Sequence, residues 1–221
     1  MLDGPIWAAA NGAQAHFARV HGQAAMFHPA VSPVATLRPG HDERAWADLA
    51  ALAGPGARIG LAGVTAAPPP DWDVEYTIPG VQMVATRAGA ASHVDAAPLG
   101  PGDVPDMLEL AARAGFDAFP ERALDLGTYL GVRRGGRLVA MAGERARPPG
   151  WTEISGVCTD PAHRGQGLAG RVVRALAAGI EGRGETAFLH ASAANTTAIR
   201  LYESLGFTLR RTTTFHRLRV P

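Results

Sequence analysis

The chain has little of what would assign a protein quickly. Its one cysteine, Cys158, leaves no internal disulfide to form, and nothing points to an oxidising compartment. Neither charge dominates: the formal net charge is +1, which removes a strongly basic nucleic-acid binder from the readings. No apolar run approaches the length of a membrane span, and the opening Met1-Leu2-Asp3-Gly4-Pro5 lacks the basic-then-apolar order of an export signal. The expectation is a cytoplasmic protein whose partners include neither nucleic acid nor membrane. His16, His21, His28 and His41 fall at spacings that match no metal motif, so no metal is expected. No internal repeat is evident, and oligomeric state is not legible. What remains is a globular composition, 47% hydrophobic and 19% charged over 221 residues, enough to bury one large core or two small ones.

The stretch 151–174, WTEISGVCTDPAHRGQGLAGRVVR, organises the rest. Thr152, Ile154, Val157 and Thr159 are β-branched and suit a half-buried strand, which turns at Asp160-Pro161. Gly165 and Gly167 then let a ligand approach the backbone closely. Leu168, Val172, Leu176 and Ile180 repeat every four residues and predict an amphipathic helix. A helix start carries unpaired N–H groups and partial positive charge, so strand, loop and helix together read as a seat for phosphate. Leu168-Ala169 stands where a nucleotide-binding P-loop needs Lys and Ser or Thr. Gly165, Gly167 and Gly170 satisfy the bare Gly-x-Gly-x-x-Gly spacing of a dinucleotide fold, so glycines alone decide nothing.

The surrounding residues are more specific. Arg164-x-x-Gly167-x-Ala169, between a strand and an amphipathic helix, resembles the pyrophosphate-binding motif of the GNAT superfamily of acyl-CoA N-acyltransferases. Downstream, Asn195, Ala198 and Tyr202 leading into Gly206-Phe207 resemble that family's second signature. The resemblance covers residues from about 96 onward, and two-lobed relatives have a glycine-N-acyltransferase-like C-terminal half. It implies an α/β (α+β) fold: a mixed, mostly antiparallel GNAT-type sheet flanked by helices, here with a smaller N-terminal α/β lobe. The expected division is 1–93, an acceptor-side lobe and linker that also reads as a worn copy of the same fold, and 94–221, an acetyltransferase domain.

The resemblance further implies acetyl-CoA as cofactor and CoA as product. The long strand would offer backbone groups at Val157, Cys158 and Thr159 to the pantetheine arm, and the amides of Gly165, Gln166, Gly167, Leu168, Ala169 and Gly170 would hold pyrophosphate beside Arg164. Asn195, Ala198 and Tyr202 lie three and four residues apart and so share one helix face. The family gives the matching Tyr the role of acid toward the departing thiolate. A tyrosine near 10 facing a thiol near 8.5 makes full proton transfer uphill by roughly 2 kcal/mol, so a hydrogen bond is the safer role. Glu153 is the expected base, on the reasoning that period two puts it on one strand face with Ser155, Val157 and Thr159; a salt-bridged surface glutamate is the plain alternative, and Glu144 and His190 are weaker candidates. Cys158 is expected to be packing. The expected reaction is direct attack by a primary amine of a small molecule or amino acid, in a pocket lined by Phe116, Phe119 and Trp151 between the two lobes. A non-catalytic acyl-CoA sensor and a protein-modifying enzyme docked through the N-terminal lobe are the rivals.

Local patterns predict the remaining elements: helices over 5–20 and 42–50, a strand over 58–63, and a hairpin of 74–78 with 81–85 across Pro79-Gly80. A linker is expected over 87–97, then a helix capped at Asp103 and a hairpin around Gly135-Gly136. A strand over 185–191, a helix over 195–205 and two terminal strands over 207–220 complete the chain.

Overall fold

The computed structural model describes residues 1–64, 66–86, 95–116 and 119–221. In chain order its elements are α1 (Pro5–Ala10), β1 (Ala18–His21), β2 (Ala24–Phe27), β3 (Val34–Leu37), α2 (Arg44–Ala53), β4 (Arg58–Ala62), β5 (Asp73–Ala85), β6 (Ala97–Pro98), α3 (Val104–Ala114), β7 (Tyr129–Arg134), β8 (Arg137–Glu144), β9 (Trp151–Thr159), α4 (Leu168–Gly182), β10 (Thr186–Ser192), α5 (Thr196–Ser204) and β11 (Phe207–Arg219). All eleven strands join one sheet in the order β1-β2-β3-β4-β11-β5-β10-β9-β8-β7-β6. Only the β3–β4 and β9–β10 pairs are parallel, so the sheet is mixed and mostly antiparallel, with helices against it.

Local chemistry explains most of these elements. α4 buries Leu168, Val172, Leu176 and Ile180 against β8 and β9, the stripe that its four-residue repeat predicts. Fully burying four such side chains contributes on the order of 6–12 kcal/mol in transfer terms, so this helix is fixed by its apolar face. Gly135 and Gly136 both take positive φ, as the two-residue turn between β7 and β8 requires. The Asn195 side chain accepts from the Ala198 N–H at 3.1 Å and caps α5.

Several expectations are corrected. The helix over 5–20 ends at Ala10; Asn11-Gly12 stops it, and a single 3-10 turn leads into β1. The hairpin across Pro79-Gly80 is instead the uninterrupted strand β5. Gly80 keeps negative φ, and a Cβ there would lie 2.3 Å from the Phe215 ring, so the glycine serves close packing and not a turn. Pro79 sits where the β10 ladder ends, at Ser192 opposite Gly80, so its missing N–H costs the sheet little. The two terminal strands are one, β11, bulged at Arg210. Its neighbour is β5, which comes from the N-terminal half and seats itself between β10 and β11. The boundary expected at 93–94 and most of the predicted linker lie outside the described residues. No helix among the described residues is long and apolar enough to cross a membrane.

Candidate active site

The sheet opens at its centre. β9 pairs with β10 only from Trp151 to Ile154, while it follows β8 as far as Thr159. From Ser155 onward, one backbone edge of β9 has no ladder partner in β10 and can receive an extended arm. On the other side a bulge places Gly156 and Val157 opposite Ala142 alone. Gly156 takes φ +62, a left-handed value suited to glycine, and a Cβ there would meet the Phe119 ring at 3.2 Å. The bulge reverses the side-chain alternation. Cys158 therefore joins Met107, Leu110 and Met141 beneath α3, and Val157 packs toward α4. This corrects the period-two expectation: Glu153 does not share a face with Val157 and Thr159.

A cavity of about 750 Å³ follows the open edge to the start of α4. Val157, Cys158, Thr159, Arg164, Gly165, Gly167, Leu168, Ala169, Gly170, Asn195, Ala198 and Tyr202 line it; of the expected cofactor residues, Gln166 is not among its lining. Gly165 and Gly167 both have positive φ, and nothing lies within 4 Å of where their Cβ atoms would be. The loop therefore offers backbone and open space. Arg164 is exposed and enters no ion pair among the described residues. Gly170 lets α4 approach α5, where a Cβ would come 3.2 Å from Leu201. His163, Thr197 and Leu201 also line the cavity. Sequence reasoning missed them, although the last two lie one position before Ala198 and Tyr202.

Tyr202, 6% exposed, stands where this cavity meets a second of about 270 Å³. Burial pushes its phenol up to about 12, so it keeps its proton over the working pH range and can only donate or accept a hydrogen bond there. The second cavity is lined by Arg145, Ser155, His190 and Ser192 among others, and through Phe116, Arg145, Ser155 and Gly156 it adjoins a third of about 120 Å³. Phe116 and Phe119 line these inner cavities. Trp151 does not: it packs against the cluster around Ile6 and Phe188.

Glu153 lies beneath these inner cavities, fully buried. Arg145 clasps it with two bonds, 2.9 Å from Nε and 2.6 Å from Nη2, and His190 Nδ1 lies 2.7 Å from it. Burial would raise its carboxyl; the Arg145 charge and the His190 bond outweigh burial and hold it well below the usual carboxylate range. On the far side, the Gln82 amide donates to His190 Nε2 at 3.1 Å and to the Leu2 carbonyl at 2.9 Å, while Arg210 donates to its Oε1 at 2.7 Å. Those partners fix which way the amide points. His190 Nε2 must accept, so the ring proton sits on Nδ1 and faces Glu153. Glu144, the other carboxylate weighed, pairs with Arg183 at 2.8 Å. Burial pushes the Cys158 thiol up to about 12, against the attraction of Arg113.

A solved structure of a protein assigned to the GNAT family of acetyltransferases, from Novosphingobium aromaticivorans, is 40% identical; the match covers 100% of this chain and 98% of that one, with a TM-score of 0.90. The chain belongs to the GNAT family. The family model described as FR47-like protein matches residues 129–216 of this GNAT chain. The N-alpha-acetyltransferase RimI of Mycobacterium tuberculosis is 37% identical over 82 residues, 36% of this chain and 51% of that protein, so the chain spans about half the length of that relative. A GCN5-related N-acetyltransferase from Kribbella flavida is 21% identical over 97% of this chain and 95% of its own, with a TM-score of 0.54, a likeness of fold alone.

Proposed function

We propose that the protein is an N-acetyltransferase that carries the acetyl group of acetyl-CoA to a primary amine on a small molecule. The observation that carries this reading is the junction at Tyr202. There the cavity along the open edge of β9 and the glycine loop meets a separate inner cavity beside the β9 bulge. One cavity fits a long arm ending in pyrophosphate, and the other fits an acceptor.

The residues fit the cofactor. The backbone groups that the Val157–Thr159 stretch turns to the open edge would bind its arm as an added strand, and the start of α4 with Arg164 would hold the pyrophosphate. When bound, acetyl-CoA supplies an activated thioester. The unladdered N–H groups of the β9 edge and bulge steady negative charge that develops beside them. Tyr202 donates a hydrogen bond at the junction. With its phenol near 12, outright proton donation to a thiol near 8.5 would be uphill by about 5 kcal/mol, so the hydrogen bond is its contribution. Glu153, assigned above as the expected base, serves better as an anchor: its charge is committed to Arg145 and it holds His190 in one tautomer. An α-amino acceptor near pKa 8 is about a tenth neutral at pH 7 and needs little help to lose its proton. In this reading residues 1–93 are the acceptor-side lobe of the 94–221 half, and the protein works in the cytoplasm.

The likeness to RimI favours a second reading, in which the acceptor is the amino terminus of a protein. An acetyl-CoA consumption screen across amines, amino acids and peptides tests both. Turnover with none of them, together with no CoA binding in calorimetry, would remove the acetyltransferase reading.

A further inference from the structure

The innermost cavity, about 120 Å³, has one wall from the N-terminal half and one from β9. Its N-terminal wall is the turn around Ser32, held by the Ser32 and Val31 amides donating to the His28 carbonyl and by the Arg122 amide donating to the Ala30 carbonyl at 2.8 Å. Ser32 is 2% exposed, and its hydroxyl has no hydrogen-bond partner. A buried hydroxyl left without a partner is uncommon, because it loses water and gains nothing in return. Two other donors border the same space. Arg145 spends Nε and Nη2 on Glu153, and its Nη1 has no partner among the described residues. Tyr129, also buried, has a hydroxyl without a protein partner there, close to Gly156: a Cβ on that glycine would sit 3.3 Å from it. Among the described residues lining this cavity and the one beside it, none is a carboxylate.

The Arg145 Nη1 that Glu153 leaves unengaged and the two hydroxyls are donors facing one space, an arrangement that suits a carboxylate. We propose that this cavity takes the carboxylate of the amine acceptor, held by Arg145 and Ser32, so that the acceptor is a free amino acid and not the amino terminus of a peptide. The inference rests on the acetyltransferase reading. The cavities adjoin in the order cofactor, middle, inner, so a carboxylate in the inner cavity leaves the amine in the middle one, beside Val157 and Tyr202. There the ammonium first loses a proton to solvent. The neutral nitrogen forms the amide bond as the carbon–sulfur bond breaks, and its second proton ends on the sulfur. A peptide places a neutral amide where the carboxylate would be and extends its chain into a space with room for only a few more atoms.

The test uses the full chain and acetyl-CoA. CoA affinity is measured first by calorimetry, which decides the parent reading separately. Turnover is then compared for the common α-amino acids, β-alanine and γ-aminobutyrate, the carboxamides of those accepted, and tetraalanine. The expected result is kcat/KM at least tenfold higher for carboxylates than for their carboxamides or the peptide. Ser32→Ala supplies the second readout. It should raise KM for the accepted amino acid about tenfold, leave kcat and CoA affinity nearly unchanged, and keep or raise Tm, because it removes an unpartnered hydroxyl. A structural hydroxyl would instead lower Tm and leave KM alone. CoA binding with equal or better turnover of carboxamides or tetraalanine, with no turnover of any amino acid, or with an unchanged KM in Ser32→Ala overturns the inference while leaving the cofactor site intact.

Discussion

The two sides of Tyr202 are assembled in opposite ways. The side proposed for the cofactor is built mainly from two runs, 157–170 and 195–202, with Ala114 and Phe116 beside them, and it offers backbone made available by glycine and by an unladdered strand edge. The side proposed for the acceptor gathers single residues from both halves of the chain: Ser32, Phe116, Phe119, Arg145, His190 and Phe215. A site made of backbone depends on local conformation, so it is written in a few spaced residues. A site made of side chains meeting across a sheet depends on register, and register is set far away.

The largest effect expected on that contrast comes from Gly167→Glu. The residue takes φ +71 at the start of α4, so any L side chain is strained there by about 1–2 kcal/mol. A carboxylate in the same space adds repulsion toward pyrophosphate. CoA affinity should fall by more than about a hundredfold, the loss expected when a close charge repels as well as blocks. The stability loss should stay near the strain cost, because the added side chain meets open space. Calorimetry and thermal melting on one sample separate the two quantities, and a variant that binds CoA normally would break the assignment of the cofactor side.

Next is Glu153→Gln, which acts beneath the acceptor side. Breaking a buried ion pair from one end leaves Arg145 uncompensated and costs about 3–5 kcal/mol. The wild-type carboxyl is held below its unfolded value, so its contribution is fully present above about pH 4.5 and is lost as pH falls through the folded value. Urea midpoints should therefore drop between pH 6 and pH 3.5 in the wild type, and drop less steeply in the variant. Equal slopes would mean that Glu153 is not the group being protonated.

The same contrast explains what could be read in advance. The helix stripe of α4, the glycine loop and the spacing of Asn195, Ala198 and Tyr202 are local, and all were legible. Gly80 was not, because a Pro-Gly pair suggests a turn unless Phe215, more than a hundred positions away, is known to lie across it. The Gly156 bulge was equally hidden: one extra residue in β9 reverses every later side chain, and only the pairing with β8 reveals it. The capture of β5 between β10 and β11 is a choice among possible partners that no single strand encodes. Ser32 and Arg145 followed these long-range events into the site and gave no motif of their own.

Third is Tyr202→Phe, which tests the junction itself. The ring and its packing against Phe207 stay, and only the hydroxyl goes. Turnover should fall by roughly ten- to a thousandfold while CoA affinity changes little, as for a bond that strengthens only in the transition state. Single-turnover rates check this. Normal turnover with a lowered melting point would make the tyrosine a packing residue and favour a non-catalytic acyl-CoA sensor.

The smallest effect concerns Cys158, where the distinction between backbone and side chain falls within one residue. It lines the cavity proposed for the cofactor, and its side chain packs in the cluster of Met107, Leu110, Met141 and Tyr129 beneath α3. Burial pushes that thiol up to about 12, so at neutral pH almost none of it is thiolate, the only form that attacks carbonyls or alkylating agents. Cys158→Ala removes one buried sulfur and leaves the backbone edge in place. It should cost about 1 kcal/mol of stability, the usual size of a small core truncation, with no change in turnover or CoA affinity. The native protein should also resist iodoacetamide and become reactive once urea unfolds it. Rapid alkylation of the folded chain, or a tenfold loss of turnover in a variant that still binds CoA, would put the thiol on the cofactor side and end the separation drawn between the two faces of β9.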